Sequence, residues 1–413
     1  MNVELLVPQV RSADLQEVVA LLSEPGPSPA PFSDGAIDLC AGFSQAIFRD
    51  REASKFPELL ALAFWMRKAE LLRLRTQFQA ISQSETIEVP RGLVFHIPPS
   101  NVDTIFVYSW LLAVLMGNRN CIRMSSRRAP QSEILLRLMR ESLERADPSL
   151  QQNTFVLSYG HDSEITKAMS MICDVRVIWG GDQTVEMIRE VPLAVHAREM
   201  TFPDRSSLGV IRAGAYLALT GENRDKLAER FFNDAYWFDQ MACSSPRLLV
   251  WCGNVADAQR ASEAFWVALD NCIGAKGFSA PAAIHMKKLV FSCESIVDLP
   301  VSEYRHSRDV TVLTLESLTS FTRDHSGGGL FFNARIDRLN DLVPALTRKD
   351  QTLTYFGFDF SELKEFATSI GGKAVDRMVP FGQALQFGRF WDGQDLLREF
   401  CRIVHIPQTP SSL

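Results

Sequence analysis

From residue 92 onward the sequence alternates short apolar runs with longer amphipathic ones, and few folds accept that rhythm. Residues 92–97, 120–124, 154–158 and 175–179 read as strands, with helices at 102–116, 131–145 and 162–173 between them. Strands alternating with helices at this spacing predict a parallel, doubly wound α/β sheet. Strands this short and this apolar fit a sheet buried on both faces. Ligands of such sheets bind at the carboxyl ends of the strands, which singles out the loops 98–101, 125–130 and 180–183. No G-x-G-x-x-G follows the first strand, so the usual dinucleotide fingerprint is missing. Gly180-Gly181 by itself is no more than a strand-to-helix turn.

A second alternating unit starts near Ser207, with strands at 208–211, 248–252, 310–315, 330–332 and 352–358 and helices at 224–238 and 256–270. Ahead of both units, Leu59, Leu62, Ala63, Met66 and Leu71 recur at three-four spacing, the mark of helices. The expected division is a helical N-terminal layer over residues 1–85, a first α/β domain over 86–205 with 375–413 packing back on it, and a second α/β domain over 206–374.

A chain of 413 residues, 46% hydrophobic and 22% charged, has room for two or three ordinary globular domains. Its net charge of -6 gives no electrostatic reason to expect nucleic acid or an acidic membrane as the main partner. The longest apolar run, 105–116, is too short to span a bilayer. The N-terminus lacks the basic-then-apolar pattern of a secretory signal. The eight cysteines form no C-x-x-C pair and no cluster with metal-ligand spacing, so no metal site is expected. Free thiols in a reducing cytoplasm are the expectation instead.

One cysteine stands apart. Residues 231–238 read as a helix dense in aromatics, and then Ala242-Cys243-Ser244-Ser245-Pro246 breaks the pattern before the strand at 248. A cysteine among small residues, between a helix and a strand, can be approached by a substrate. Cys243 is therefore a candidate nucleophile, with plain burial as the competing reading, since free cysteine is among the most buried residue types. His96, inside a strand, reads as a satisfied core histidine. His161 follows Tyr159-Gly160 in a loop, where it is a candidate to line the nucleotide site rather than to act as a base. The run Gly327-Gly328-Gly329 reads as a flexible loop rather than a ligand-approach site.

Taken in order, these pieces resemble the aldehyde dehydrogenase superfamily, and within it the acyl-CoA reductase of the bacterial bioluminescence system. Pro99-Ser100-Asn101 resembles the superfamily's Pro-Trp-Asn. Gly180-Gly181 resembles its Gly-Ser cofactor turn. Residues 239–246, Asp-Gln-Met-Ala-Cys-Ser-Ser-Pro, resemble the reductase's nucleophile segment. Residues 377–382 with Trp391-Asp392-Gly393 resemble its C-terminal signature. The resemblance runs from about residue 91 to 392. It implies a Rossmann-type cofactor domain plus a second α/β catalytic domain, NADPH as cofactor, and an acyl-CoA or other acyl-thioester substrate reduced to an aldehyde through a cysteine thioester. It further implies Cys243 as nucleophile, Asn101 as an oxyanion donor, and Gly180 and Gly181 at the nucleotide. A homo-oligomer, with an acyl-protein synthetase or carrier protein as partner, belongs to the same expectation.

Two departures refine it. Phe202 stands where hydrolytic aldehyde dehydrogenases have a glutamate base, and phenylalanine cannot activate water; Asp204 lies close enough in sequence to substitute. Met124 stands where a cofactor-binding lysine is usual, followed by Ser125, Ser126, Arg127 and Arg128. Hydroxyls and guanidinium groups suit a ribose 2′-phosphate; an exposed basic loop is the alternative. Two rivals stay open: an oxidising aldehyde dehydrogenase, and an acyl-carrying subunit of a larger complex that uses Cys243 without reducing its acyl group.

Overall fold

A computed structural model describes residues 2–80, 85–99, 104–160 and 162–407. The chain divides into two compact units, Met1–Pro203 with Phe387–Leu413, and Asp204–Gln386.

In the first unit the strands are β1 (Asn2–Val7), β2 (Arg11–Asp14), β3 (Thr86–Pro90), β4 (Leu93–Ile97), β5 (Arg119–Met124), β6 (Thr154–Ser158), β7 (Val175–Trp179) and β8 (Arg198–Phe202). Seven of them form one sheet in the order β2-β1-β6-β5-β4-β7-β8. From β6 to β8 the ladder is parallel, with pairs such as Cys121↔Phe155 and Val94↔Val175. The order reverses at β4, the kind of switch point at which doubly wound sheets open a ligand crevice. Every residue of β4, β6 and β7 is buried, as their mostly apolar sequences fit, with His96, Thr154, Ser158 and Arg176 the polar residues carried inside. Ile105–Leu115, apolar all round, is likewise buried along its whole length.

The N-terminal segment differs from the expected helical layer. Helices Asp34–Arg49, Pro57–Trp65 and Lys68–Gln79 are present, but β1 and β2 extend the sheet, β1 running antiparallel to β6 with Leu5 opposite Leu157. Val3, Leu5 and Leu6 are buried there, and that burial decides the pairing.

The second unit holds β9 (Ser206–Arg212), β10 (Pro246–Cys252), β11 (Val301–His306), β12 (Thr311–Leu315), β13 (Leu330–Ile336), β14 (Asp350–Phe356) and β15 (Arg377–Pro380). Their order is β11-β12-β13-β10-β9-β14-β15, parallel apart from β11. Residues 375–386 thus belong here rather than with the first unit, because β15 pairs with β14, Thr352 opposite Arg377. The return to the first unit begins at Phe387 and ends in Cys401–His405, which pairs antiparallel with β3.

Candidate active site

The second unit builds its most constrained backbone just before Cys243. Helix Gly221–Tyr236 gives way to three successive non-glycine residues in left-handed conformation: Phe238 (φ 62°), Asp239 (φ 51°) and Gln240 (φ 64°). Each costs about 1 kcal/mol or more, so surrounding contacts must hold them. The Gln240 side chain is the main hold. Buried at 1% exposure, its Nε2 donates to the carbonyls of Pro246 (3.1 Å) and Leu330 (2.8 Å). Its Oε1 accepts from the amides of Gly329 (3.0 Å) and Leu330 (3.1 Å). One amide therefore satisfies four backbone groups and ties the turn to the amino ends of β10 and β13.

The glycine run expected to be a flexible loop is the counterpart of this turn. Gly327, Gly328 and Gly329 are all left-handed, with φ of 71°, 67° and 78°. The Gly328 amide donates to the Asp239 carbonyl at 2.9 Å. A Cβ on Gly327 would stand 2.7 Å from that carbonyl oxygen, and one on Gly329 only 2.1 Å from the Asp309 carbonyl. The glycines are there so that backbone can approach backbone.

Cys243 follows on a short turn closed by the Ser245 amide donating to the Ala242 carbonyl at 3.0 Å. Ser207 Oγ donates to the Cys243 carbonyl at 2.7 Å and accepts from the Thr352 amide at 3.2 Å. β9, β10 and β14 thereby fix the main chain at the sulfur-bearing residue. The turn lies at the amino ends of these strands, the reverse of where the first sheet is expected to bind its ligand. Cys40, Cys121, Cys173, Cys252 and Cys401 are buried, Cys243 and Cys272 are partly accessible, and Cys293 is exposed. Burial raises the thiol of Cys173 to about 12 and that of Cys401 likewise to about 12, and it raises those of Cys40 and Cys121 as well. Such thiols are inert.

Around Cys243 the same edge of the sheet gathers polar groups without hydrogen-bond partners among the described residues: Ser206 Oγ, Ser245 Oγ, Arg247 Nε and His325 Nδ1. Arg247 is 8% exposed. Burial draws it down to about 10, opposed by the charges of Cys243 and then Asp204. His325 is held down to about 3, first by burial and then by the Arg247 and Lys287 charges, so it is a neutral ring. Asp204 itself is exposed.

The nucleotide candidates belong to the first unit. Asn101 and His161 lie outside the described residues. Ser125 Oγ accepts from the Arg127 amide at 3.2 Å and shapes the loop after β5, which leaves Ser126 and Arg127 exposed. Arg128, expected at the nucleotide's phosphate, is engaged with neighbouring side chains. Its Nε donates to Glu133 at 2.5 Å, and its Nη1 to Ser158 Oγ at 3.0 Å and Glu4 at 3.4 Å. A guanidinium shared between two carboxylates is committed to the fold. Gly180 and Gly181 close β7, with the Gly180 amide on the Phe202 carbonyl at 3.2 Å. Gly181 caps helix Asp182–Arg189 with no side-chain bond to its first amides. A side chain at Gly180 would press on Thr184 at 3.0 Å. An exposed arginine, an exposed hydroxyl and uncapped helix amides fit a nucleotide's phosphates. His96 is a core residue, bonded to Ser109 Oγ (2.8 Å) and Asn120 (2.9 Å) and neutral because burial lowers it to about 4. Phe202 is buried at 4% exposure against Trp179.

Gln240, Ser207 and Arg247 were not singled out by sequence. Gln240 and Arg247 carried one signal, adjacency to Cys243, and Ser207, 36 positions away, carried none; three consecutive glycines before a strand signalled the other half of the clamp.

Residues 70–273, nearly half of the chain, match the model of a family described as Acyl-CoA reductase (LuxC). No curated protein matches the chain. Among solved structures the fold is similar to an NAD-dependent aldehyde dehydrogenase from Sinorhizobium meliloti, with a TM-score of 0.66 and 13% identity, covering 97% of this chain and 88% of that one. A 1-pyrroline-5-carboxylate dehydrogenase from Thermus with bound NAD gives 0.65 and 14%, covering 95% and 86%. The bifunctional proline utilization A protein gives 0.63 and 14% over 95% of this chain, which spans 45% of that protein's length.

Proposed function

Starting from a LuxC-like chain on an aldehyde-dehydrogenase-like fold, we propose that it is an oxidoreductase that reduces an acyl thioester to an aldehyde at Cys243, using a nicotinamide cofactor, NADPH by preference. The observation that carries the reading is the partly accessible Cys243, on a turn whose backbone is pinned by Ser207 and Gln240.

The Cys243 sulfur, as thiolate, attacks the carbonyl carbon of the acyl thioester. The C–S bond to the donor breaks, and the donor leaves as its thiolate, which takes a proton from solvent. The acyl group stays on Cys243 as a thioester of nearly equal energy. When bound, the nicotinamide supplies a hydride to that carbonyl carbon. The resulting oxyanion on the Cys243 adduct needs hydrogen-bond donors, a role we assign to the Asn101 amide and the backbone N–H of Cys243. Collapse breaks the C–S bond, releases aldehyde and returns the thiolate. Ser126 and Arg127 hold the nucleotide's phosphates, with the Gly180-Gly181 turn beside them. Phe202, in the place of a water-activating carboxylate, favours reduction over hydrolysis. The acyl donor is coenzyme A, a carrier protein or a partner synthetase.

The test is NADPH oxidation with acyl-CoAs of increasing chain length and direct detection of aldehyde. Cys243→Ala should abolish aldehyde formation and acyl labelling together. Aldehyde formation surviving in that variant would move the chemistry elsewhere.

A further inference from the structure

We propose that Arg247 is the positioning residue that keeps Cys243 as a thiolate in the resting chain. The inference rests on the reading of Cys243 as nucleophile and names what activates it.

Thiols are activated by a helix N-terminus, a metal or a neighbouring cation. Cys243 precedes a strand, and the helix before it ends at Tyr236. Among the described residues no His, Cys, Asp and Glu cluster could hold a metal ion. A cation remains. The closed turn 242–245 folds Cys243 back beside the start of β10, whose second residue is Arg247. There Arg247 is 8% exposed and its buried Nε has no hydrogen-bond partner among the described residues. A buried guanidinium placed this way is costly unless a negative charge stands near it. Against that burial, the negative charge of Cys243, and after it that of Asp204, sustains the charge on Arg247. The interaction is mutual: a thiolate that favours the guanidinium is favoured by it.

The other charged groups around the turn are accounted for. Arg205 is paired with Asp376, and Arg323 donates to Asp350 at 2.6 Å. Burial raises the Asp239 carboxyl, and His325 is neutral. Lys287 lies near His325 and adds to the positive field there. Asp204 is the acid that competes for Arg247.

The test uses the intact chain without substrate or nucleotide. Iodoacetamide alkylation of Cys243 is followed from pH 5 to 10, with the site read by peptide mass spectrometry. The midpoint should fall well below the roughly 8.5 of an ordinary thiol. Arg247→Met should raise it by about one pH unit and slow alkylation at pH 7 about ten-fold, while Arg247→Lys stays close to the parent. A parent midpoint at 8.5 or above overturns the proposal, as does a folded Arg247→Met chain with the parent's midpoint. If Arg247→Met does not fold, the parent profile and the lysine variant decide. A depressed midpoint in a chain that reduces no thioester would sink the functional reading and spare this one. An ordinary midpoint in an active reductase would do the reverse.

Discussion

Trp179 lies face to face with Phe202, ring centroids 3.8 Å apart and planes 14° from parallel. Trp391 and Tyr108 close on the Trp179 ring from the side, at 6.0 Å each. Phe202 is therefore part of an aromatic stack, and a phenyl ring cannot take a proton from water. An acyl group on Cys243 should then be long-lived without nucleotide. Mixing with acyl-CoA should give a burst of free coenzyme A stoichiometric with protein, then slow release. Hydrolysis to free acid as fast as NADPH-dependent reduction would mean that another residue, Asp204 first, activates water. Phe202→Glu should lose several kcal/mol of unfolding free energy, since it would bury a carboxylate against the Trp179 ring.

The Gln240 clamp yields a sharper stability test. Gln240→Ala strands the Gly329 and Leu330 amides and the Pro246 carbonyl in a buried site, and it leaves an alanine at φ 64°. The cost should be about 2–4 kcal/mol in urea unfolding, with loss of Cys243 labelling out of proportion to the fraction unfolded. Gly329→Ala should be at least as damaging, given the 2.1 Å approach of its Cβ to the Asp309 carbonyl. Wild-type stability in both variants would show that the left-handed turn is held by something else.

The βα rhythm from residue 92 was legible because strands such as β4, β6, β7 and β10 are buried along their whole length and carry their own signal. β2, Arg-Ser-Ala-Asp, has no such signal; it exists because β1 lies beside it. β11 and the half-exposed helix Ala282–Asp298 were missed for a related reason, a polar edge strand and a helix with three buried residues carrying little periodicity. Cys243 could be found because it interrupts a pattern. Gln240 could not, since its meaning depends on amides ninety positions away. That Arg128 is paired with Glu133 and the distant Glu4 could not be read from its place in a basic loop.

Buried Asp234 supplies a pH dependence. Its carboxylate accepts the amides of Gly382 (2.6 Å) and Ala384 (2.8 Å), tying helix Gly221–Tyr236 to the segment after β15. Burial raises its pKa to about 7, against the pull of those amides and of Arg377. A pKa higher in the folded than in the unfolded chain stabilises below the unfolded value. That contribution is lost as pH rises through about 7, at about 1.4 kcal/mol for each tenfold difference in proton affinity between the folded and unfolded chains. Unfolding free energy should therefore decline between pH 4 and 7 more steeply in the parent than in Asp234→Asn. Parallel curves would mean Asp234 ionises normally.

Arg127 and Arg128, adjacent in sequence, should separate in the laboratory. Arg127 is exposed after β5, whereas Arg128 is held by Glu133, Glu4 and Ser158. Arg127→Ala should raise the KM for NADPH about ten-fold, the worth of one charge-assisted contact, with a much smaller effect on NADH. Arg128→Ala should instead lower stability by about 1 kcal/mol and affect both nucleotides equally, because what it removes is an anchor between the loop and β6. Steady-state kinetics with both nucleotides, beside urea unfolding of each variant, makes the distinction. A selective NADPH defect in Arg128→Ala, or equal losses with both nucleotides in Arg127→Ala, would reverse the assignment and make Arg128 the residue that leaves its carboxylates for the 2′-phosphate.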